Sequence, residues 1–301
     1  MTGAGAPGLS IAVEALPPTA SFARRLSGSP LLVLLDIDGT LAPIAPTPDE
    51  AAVPAATRQA LDALTRSPGV HVAAVTGRAA RDGRGMLGAA RMWVIGNHGM
   101  ERMDPSGTLV VSPHVAPYQP AIADAVVRLS ALLAAIRGVI VENKGLTLSV
   151  HYRLADHALV SRIDDSVRSV AGVLGLRVTH GKEVLELRPP VAVDKGTAAL
   201  DLARELGVLG TEPQSSILYA GDDRTDEDAF RLIRARCPNS VTIHVGSAIV
   251  NGVPTAAEFA VADTERVRAV LEWLLSARDR NRSADRPGGG DSGPSRSGRR
   301  D

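Results

Sequence analysis

Apolar and polar positions fall into alternating blocks along most of the chain. Apolar runs of five or six residues, such as Leu31–Leu35 and Val70–Val75, predict buried strands. Apolar residues spaced three or four apart, first over 55–66, predict helices between the strands. Strands that alternate with helices favour an α/β fold, in which helices cover both faces of a mostly parallel sheet.

The same alternation returns in the last third of the chain. It predicts a helix at 197–206, a strand at 217–220, a helix at 226–234, a strand at Val241–Val245 and a last helix at 265–275. A short strand is also expected at 93–95. The helix that should precede that strand is weakened by Gly83, Gly85 and Gly88.

Residues 112–190 follow a different pattern, which interrupts the α/β alternation. Helices are predicted at 121–136 and at Val160–Leu174, and each is followed by a hairpin. The hairpin strands are expected at 139–142 and 146–152, and then at 177–179 and Val184–Arg188. We therefore expect an α+β unit, residues 112–190, inserted between two parts of one core, residues 29–111 and 191–278. An insertion of this kind is well placed to act as a lid.

Both ends of the chain are rich in small and polar residues. Residues 1–28 contain many Ala, Gly, Pro and Ser, and we expect a flexible N-terminal extension. Residues 281–301 have almost nothing to bury, and we expect a disordered tail.

The overall composition limits the classes of partner. Among 301 residues, 33 Lys and Arg balance 33 Asp and Glu, so charge gives no reason to expect nucleic acid or an anionic membrane as partner. The single cysteine, Cys237, cannot form an internal disulfide and suits a reducing compartment. The N-terminal stretch does not resemble a signal peptide, and no apolar run reaches the length of a membrane span. The expectation is a soluble cytoplasmic protein, working as a monomer.

Chemically reactive side chains follow several of the predicted strands. Asp36 and Asp38 come directly after the first strand, Thr76 follows the second, and an acidic run, 222–228, follows a later one; Lys195 stands at the start of a helix. The carboxyl ends of parallel strands open onto one crevice, so these groups should meet there. Each has a plainer interpretation as a turn, a helix cap or a complement to a helix dipole. All of them in this order on one α/β pattern favour a reaction centre.

These motifs resemble those of a known superfamily. Asp-Ile-Asp-Gly-Thr, Thr-Gly-Arg, Lys195 and Gly-Asp-Asp-Arg-Thr-Asp are similar to the four motifs of the haloacid dehalogenase superfamily, and the insert is similar to its C2-type cap. The resemblance implies a Rossmann-like core with a parallel sheet and an inserted α+β cap. More narrowly, Gly-Asn-His-Gly at 96–99 and the segments 142–144, 151–153 and 181–188 resemble the trehalose-6-phosphate phosphatase family.

The resemblance implies a role for each core residue. Asp36 would attack phosphorus and form an aspartyl-phosphate, and Asp38 would act as general acid and then general base. Thr76 would bind a phosphoryl oxygen, and Lys195 would balance charge on Asp36. Mg²⁺ favours hard oxygen ligands, for which the candidates are Asp36, Asp222 and the backbone carbonyl of Asp38. An outer position, holding a coordinated water, falls to Asp226 or Asp223.

The resemblance also implies a sugar site on the cap, and with it a substrate. Its expected contacts are Glu142, Lys144, Arg153, Lys182 and Glu186, together with Asn97 and His98 from the core. A structural role for His98 is an open alternative, as is bracing of loops by Arg78 and Arg188. The expected activity is Mg²⁺-dependent hydrolysis of trehalose 6-phosphate, a phosphorylated disaccharide. The alternatives are a phosphatase for sucrose phosphate or a mannosyl phosphate, and a regulatory protein that binds a sugar phosphate without hydrolysing it.

Overall fold

The computed structural model describes residues 20–88, 91–209, 215–247, 249–250 and 253–284. The strands in these ranges are β1 (Leu31–Leu35), β2 (Val70–Val75), β3 (Trp93–Gly96), β4 (Glu101–Met103), β5 (Leu109–Val111), β6 (Ile140–Asn143), β7 (Leu148–His151), β8 (Arg177–Gly181), β9 (Val184–Arg188), β10 (Ser216–Gly221), β11 (Val241–Val245), β12 (Ile249–Val250), β13 (Val253–Pro254) and β14 (Phe259–Val261). The helices are α1 (Ala20–Leu26), α2 (Ala55–Thr65), α3 (Ala80–Leu87), α4 (Gln119–Leu133), α5 (Val160–Leu174), α6 (Lys195–Glu205), α7 (Arg224–Arg236) and α8 (Thr264–Ala284). Each of these helices is too short or too polar to cross a bilayer.

The larger of the sheets contains eight strands in the order β14-β11-β10-β1-β2-β3-β4-β5. The six strands from β14 to β3 run parallel to their neighbours, and β4 and β5 extend the sheet by antiparallel pairing. β1 lies between β10 and β2, and all five of its residues are buried. The sheet therefore places the chain segment that follows β1 near the middle of its carboxyl edge.

Helices cover both faces of this sheet, because alternate side chains of each strand point to opposite sides. Leu31, Val33 and Leu35 of β1 belong to a core that includes residues of α1, α2, α3 and α8. Leu32 and Leu34 belong to a second core that includes residues of α6 and α7. A continuous apolar run is what a strand needs when both of its faces are covered.

The inserted unit has its own antiparallel sheet, in the order β6-β7-β9-β8, with α4 and α5 packed on one face. We call this sheet and these two helices the cap. Leu148, Val150, Leu185 and Leu187 are buried against the helices. The other face presents a cross-strand row in which Glu142 pairs with Ser149, and Ser149 with Glu186. The cap thus has one apolar face and one polar face.

The structure confirms most of the elements predicted from sequence. The bounds of β1, β2, β9, β11 and α5 are as predicted, and most other predicted helices and strands shift by a few residues at their ends. The exception is α8, which was predicted to end at 275 and continues to Ala284. The glycine-rich helix α3 also forms. A Cβ on its Gly83 would lie 3.1 to 3.3 Å from side-chain atoms of Ile37, Thr76 and Val94, so a glycine here allows close packing. The short strands β4, β5 and β14, of three residues each, were not predicted, because periodicity needs a longer run.

The expectation of a flexible extension over residues 1–28 is wrong for its last part. α1 buries Phe22 and Leu26 in the core, and the Phe22 ring makes edge contacts with Phe259 and Trp273. Arg25 forms an ion pair with Glu258 at 2.8 Å. The expected tail also begins too early, because α8 continues to Ala284. The remaining residues of both predictions, 1–19 and 285–301, lie outside the described residues.

We predict that Phe22→Ala will lower the free energy of unfolding by about 3–5 kcal/mol, because it leaves a cavity in the core. Arg24→Ala, an exposed position on the same helix, should change it by less than about 0.5 kcal/mol. Both values can be measured by urea denaturation followed by circular dichroism. Equally small effects of the two substitutions would show that α1 does not belong to the folded core.

Candidate active site

The candidate site lies where neighbouring strands of the large sheet end. Asp36 follows β1, Thr76 follows β2, and Asp222 follows β10. The backbone N–H of Asp36 donates to the carbonyl of Ala220 at 2.9 Å, so the ladder between β1 and β10 continues to the first catalytic candidate. The topology thereby brings together groups that are far apart in sequence.

Lys195, the first residue of α6, links Asp36 to the acidic run. Its side chain is 1% exposed, and Nζ donates to Oδ1 of Asp36 and to Oδ1 of Asp226, each at 2.9 Å. Burial alone would lower the pKa of Lys195, but Asp223, Asp226 and Asp36 outweigh it and raise that pKa well above its usual value. Lys195 is therefore a fixed positive charge beside Asp36.

Asp226 is completely buried and fully engaged by the protein. Its carboxylate accepts hydrogen bonds from Lys195, from the hydroxyl of Tyr219 at 2.8 Å, and from the backbone N–H groups of Asp222 and Asp223 at 3.1 Å. A Cβ on Gly221 would lie 2.2 Å from its Cγ, so only glycine fits there. Asp226 therefore orients the 222–223 backbone and Lys195. Sequence reasoning missed Tyr219, whose signal was a single polar group within an otherwise apolar strand.

Asp223, the other candidate for an outer position, caps α7. Its carboxylate accepts from the backbone N–H groups of Thr225 and Asp226 and from the hydroxyl of Thr225. Burial would raise the pKa of Asp223, but Lys195 and these hydrogen bonds outweigh it and hold the pKa well below its usual range. The plainer interpretation of this acidic residue, a helix cap, thus describes its main contacts.

The carboxylates of Asp36, Asp222 and Asp226 form a group that could hold a metal ion. One oxygen from each lies within 4.8 Å of the others. Oδ1 of Asp222 is buried and accepts no hydrogen bond. Burial, with Asp226 and Asp223 nearby, raises the pKa of Asp222 to about 7. Burial likewise raises the pKa of Asp36, with only partial opposition from Lys195. A buried acidic group that lacks enough positive charge is what a divalent cation would complete.

Asp38 is held by Arg78 rather than by the acidic group. The guanidinium donates from Nε and Nη2 to the two oxygens of the Asp38 carboxylate, at 2.6 and 2.7 Å. It also donates to the carbonyl of Pro48 at 3.0 Å. The Thr76 hydroxyl accepts from the backbone N–H of Arg78 at 3.1 Å. Arg78, which the sequence suggested only as a brace, therefore connects the Thr76 turn to Asp38.

The polar face of the cap gathers a cluster of charged side chains. Oε2 of Glu142 lies 2.7 Å from Nε2 of His151, and Nζ of Lys144 lies 3.8 Å from Glu142 and 3.5 Å from Glu186. Burial would raise the pKa of Glu186, but His98, Lys144 and Arg188 together lower it to about 2. Glu186 is therefore ionised at neutral pH. His151 was not among the predicted contacts, although it shares a strand face with Ser149, next to Glu142.

Two predicted sugar contacts lie outside this cluster. Arg153 pairs with Glu183 at 3.1 Å and reaches the carbonyl of Ala45 at 3.4 Å, so it lies between the cap and a core loop. Lys182 is exposed in the turn between β8 and β9. The structure thus separates these two from Glu142, Lys144 and Glu186, which it brings together.

Asn97 and His98 are both buried where core and cap meet. The Asn97 amide is 0% exposed and contacts Glu101, Lys144 and Thr147. This differs from the expected contact with sugar, because a side chain without exposed surface has no face left for a ligand. Nε2 of His98 lies 3.4 Å from Oε1 of Glu186, and burial lowers the pKa of His98.

Comparison with known proteins gives consistent matches. A family model described as trehalose-phosphatase matches residues 34–265. A probable trehalose-phosphate phosphatase of Oryza sativa subsp. japonica is 33% identical over an alignment of 278 positions, which covers 86% of this chain and 73% of that protein. An uncharacterized glycosyl hydrolase of Mycobacterium tuberculosis is 35% identical over 233 residues, which are 77% of this chain. The chain spans only 17% of that longer protein.

A solved structure has the same fold. The crystal structure of a trehalose-6-phosphate phosphatase related protein superposes with a TM-score of 0.72 at 25% sequence identity. The match covers 83% of this chain and 99% of the other.

We predict that Gly39→Ala will abolish stabilisation of the fold by divalent cations. Gly39 has φ of +84°, and a Cβ there would lie 2.0 Å from Oδ2 of Asp222, so the substitution must displace that carboxylate. The measurement is the shift of the melting temperature on adding millimolar Mg²⁺ or Mn²⁺. Gly85→Ala, on an exposed side of α3 with no atom near the added Cβ, should keep the full shift. A full shift in Gly39→Ala would argue against Asp222 as a ligand.

Proposed function

The chain belongs to the trehalose-phosphatase family, and from this premise we propose that it hydrolyses trehalose 6-phosphate to trehalose and inorganic phosphate. The observation that carries the reaction type is the contact of buried Lys195 with Asp36 beside Asp222. An anionic nucleophile can attack an anionic phosphate ester only where positive charge offsets the repulsion. The position after β1 supplies the nucleophile, and α6 supplies the charge.

The first chemical step is assigned to Asp36 and Asp38. A carboxylate oxygen of Asp36 forms a bond to phosphorus as the bond between phosphorus and the sugar oxygen breaks. Asp38 donates a proton to that leaving oxygen, so the sugar departs as an alcohol. Lys195 keeps Asp36 in place, and Thr76 donates to a phosphoryl oxygen.

The second step releases phosphate. Asp38, now a carboxylate, takes a proton from a water molecule whose oxygen attacks phosphorus of the aspartyl-phosphate. The bond between phosphorus and Asp36 breaks, and Asp36 is restored. Arg78 holds both oxygens of Asp38 in the carboxylate form, so one of these two hydrogen bonds must open while Asp38 carries the proton that it gives to the leaving sugar.

We propose Mg²⁺ as the cation of the site. Asp36, Asp222 and the backbone carbonyl of Asp38 would hold it. Asp226 and Asp223 would lie outside the ligand set, because the protein occupies both oxygens of Asp226 and Oδ1 of Asp223 caps α7. When bound, Mg²⁺ would neutralise charge on the phosphoryl group and orient it toward Asp36. Oδ1 of Asp222, which is buried and accepts no hydrogen bond, supports this assignment.

Sugar selectivity is assigned to the polar face of the cap. Glu142, Lys144 and Glu186 offer both acceptors and donors, which suits hydroxyls that can do either. The family membership supports trehalose as the sugar. Arg153 lies at the rim near Ala45 and is proposed as an outer contact, and the exposed Lys182 could contact sugar only from the β8–β9 turn.

The remaining proposals concern setting and alternatives. We propose a monomer that acts in the cytoplasm on a small molecule, without nucleic acid or membrane as partner. The equal numbers of acidic and basic residues support the absence of nucleic-acid and membrane partners. A phosphatase for another sugar phosphate would share every feature of the core. A regulatory protein that only binds the sugar phosphate is less well supported, because Asp36, Asp38, Lys195 and Asp222 are all present in one site.

We predict that Asp36→Asn will lower the rate of phosphate release by at least about 10³-fold, because it removes the nucleophile. The fold should remain intact, because the substitution removes a costly buried anion and keeps an acceptor for Lys195. Phosphate release and thermal unfolding are the two measurements. Asp62→Asn, an exposed position on α2, is the matched control and should leave both unchanged. Release at the wild-type rate from Asp36→Asn would remove Asp36 as nucleophile.

We predict that a panel of phosphorylated sugars will show trehalose 6-phosphate as the preferred substrate, with activity lost on chelation and restored by Mg²⁺. The panel should include glucose 6-phosphate, sucrose phosphate and a mannosyl phosphate, and kcat/KM is the quantity to compare. Equal values for glucose 6-phosphate and trehalose 6-phosphate would refute the assigned sugar. Full activity in the presence of excess chelator would refute the metal.

A further inference from the structure

The segment 97–99, which follows β3, begins with two consecutive non-glycine residues in a left-handed backbone conformation. Asn97 has φ of +49° and His98 has φ of +54°. Asn and His are among the residues that adopt this region at lower cost than most, but the conformation persists only where surrounding contacts fix it. Contacts of this segment extend in two directions, toward the core and toward the cap.

Toward the core, the backbone of the segment fixes the turn after β2. The N–H of Asn97 donates to the carbonyl of Arg78 at 2.7 Å, and the N–H of His98 donates to the carbonyl of Thr76 at 2.9 Å. The His98 ring lies against Gly77, where a Cβ would come within 2.7 Å of it. The segment therefore determines the position of the turn that bears Thr76 and Arg78.

Toward the cap, the Asn97 side chain fixes the turn between β6 and β7. Nδ2 donates to the carbonyl of Lys144 at 3.0 Å, and Oδ1 accepts from the hydroxyl of Thr147 at 2.9 Å. Leu146, in the same turn, is buried in a small apolar cluster with Met100 and Val115. The buried amide of Asn97 thus forms two hydrogen bonds that fix the turn containing Lys144.

A buried acidic side chain completes the arrangement. Oε1 of Glu101 accepts from Nδ2 of Asn97 at 2.9 Å and from the backbone N–H of Ala80 at 2.7 Å. Ala80 begins α3, directly after the Thr76 turn. The donors and the acceptor of the Asn97 amide are therefore all used within the protein, and the amide is in place before any ligand arrives.

We propose that Asn97 is a positioning residue for sugar selectivity, which acts without touching the sugar by tying the β6–β7 turn to the turn that bears Thr76 and Arg78. The proposal rests on the proposed function, because it takes the cap face as the sugar site and the Thr76 turn as the phosphate site. A fixed distance between these two sites favours substrates in which the phosphate and the sugar hydroxyls are separated by a matching distance. Loss of the hydrogen bonds between Asn97 and the β6–β7 turn would let the distance between the two sites vary. The groups that act on phosphate would keep their places in the core.

The test compares a sugar phosphate with p-nitrophenyl phosphate, which has a phosphate but no sugar. The quantity is a discrimination ratio, kcat/KM for trehalose 6-phosphate divided by kcat/KM for the aryl ester. Asn97→Asp keeps the size of the side chain and the acceptor for Thr147, but loses both donors and adds a carboxylate beside Glu101. The ratio should fall about 10- to 100-fold, the range expected for one or two lost buried hydrogen bonds. The value for the aryl ester should fall by a smaller factor than the value for trehalose 6-phosphate.

Two further variants keep the test informative. Asn143→Asp makes the same substitution in the same hairpin at an exposed position, where an acid can still accept from the N–H of Gly145, and should leave the ratio unchanged. Thr147→Val removes the tie from the cap side and should lower the ratio in the same direction, even if Asn97→Asp folds poorly. Because both substitutions break one tie, the double variant should lose less than the product of the single losses.

Several outcomes would overturn the proposal. Equal losses for both substrates would show that Asn97 supports only the core chemistry or the fold. An unchanged discrimination ratio in folded Asn97→Asp or Thr147→Val would show that the hydrogen bonds of Asn97 do not set sugar selectivity. A discrimination ratio near one in the wild-type protein would show the same, because there would be no selectivity to lose. If the wild-type protein prefers another sugar phosphate, the proposed substrate is wrong. The discrimination ratio is then measured with the preferred sugar phosphate in place of trehalose 6-phosphate, and it still tests the role of Asn97.

Discussion

The site depends on one buried ammonium group and on the excess of carboxylate around it. Lys195 lies 2.9 Å from both Asp36 and Asp226 and 3.7 Å from Asp223, with Asp222 also in the group. Burial raises the pKa of Asp36 and of Asp222, and the neighbouring carboxylates, which one positive charge does not balance, raise these pKa values further. A site left short of positive charge in this way suits a divalent cation, which would offset the repulsion between Asp36 and an anionic phosphate ester. The parallel sheet makes this possible, because β1 and β10 end side by side.

The core of the fold and of the site could be predicted from sequence because their signals are local and repeated. Apolar runs marked β1 and β2 to the residue, and the polar groups directly after them marked the strand ends. The rule that parallel strands share one crevice then placed Asp36, Thr76 and Asp222 together. The first helix was missed for the opposite reason: a short segment with two apolar residues looks like linker until the partners of Phe22 on distant strands and helices are known.

Partners that are far apart in sequence were harder to predict, because nothing local encodes them. The pairing of Arg78 with Asp38 joins residues 40 positions apart, and the contact of Asn97 with Thr147 joins residues 50 apart. Asn97 looked like a ligand because it is polar and follows a strand, yet both of its amide donors and its amide oxygen are already hydrogen-bonded within the protein. Tyr219 illustrates the same limit, since a polar residue within an apolar run has no visible purpose until its buried partner, Asp226, is known.

The glycines near the site have a consequence for how the protein can change over evolutionary time. At 39, 77 and 221 an added Cβ would collide with Asp222, His98 and Asp226 respectively. Each glycine and the side chain beside it must therefore change together, because a substitution at one position is acceptable only with a compensating change at the other. The polar face of the cap has no such interlock at Glu142 or Lys144. Under the proposed function, substitutions at these two positions would change the sugar preference while the residues around Asp222 and Asp226 stay the same.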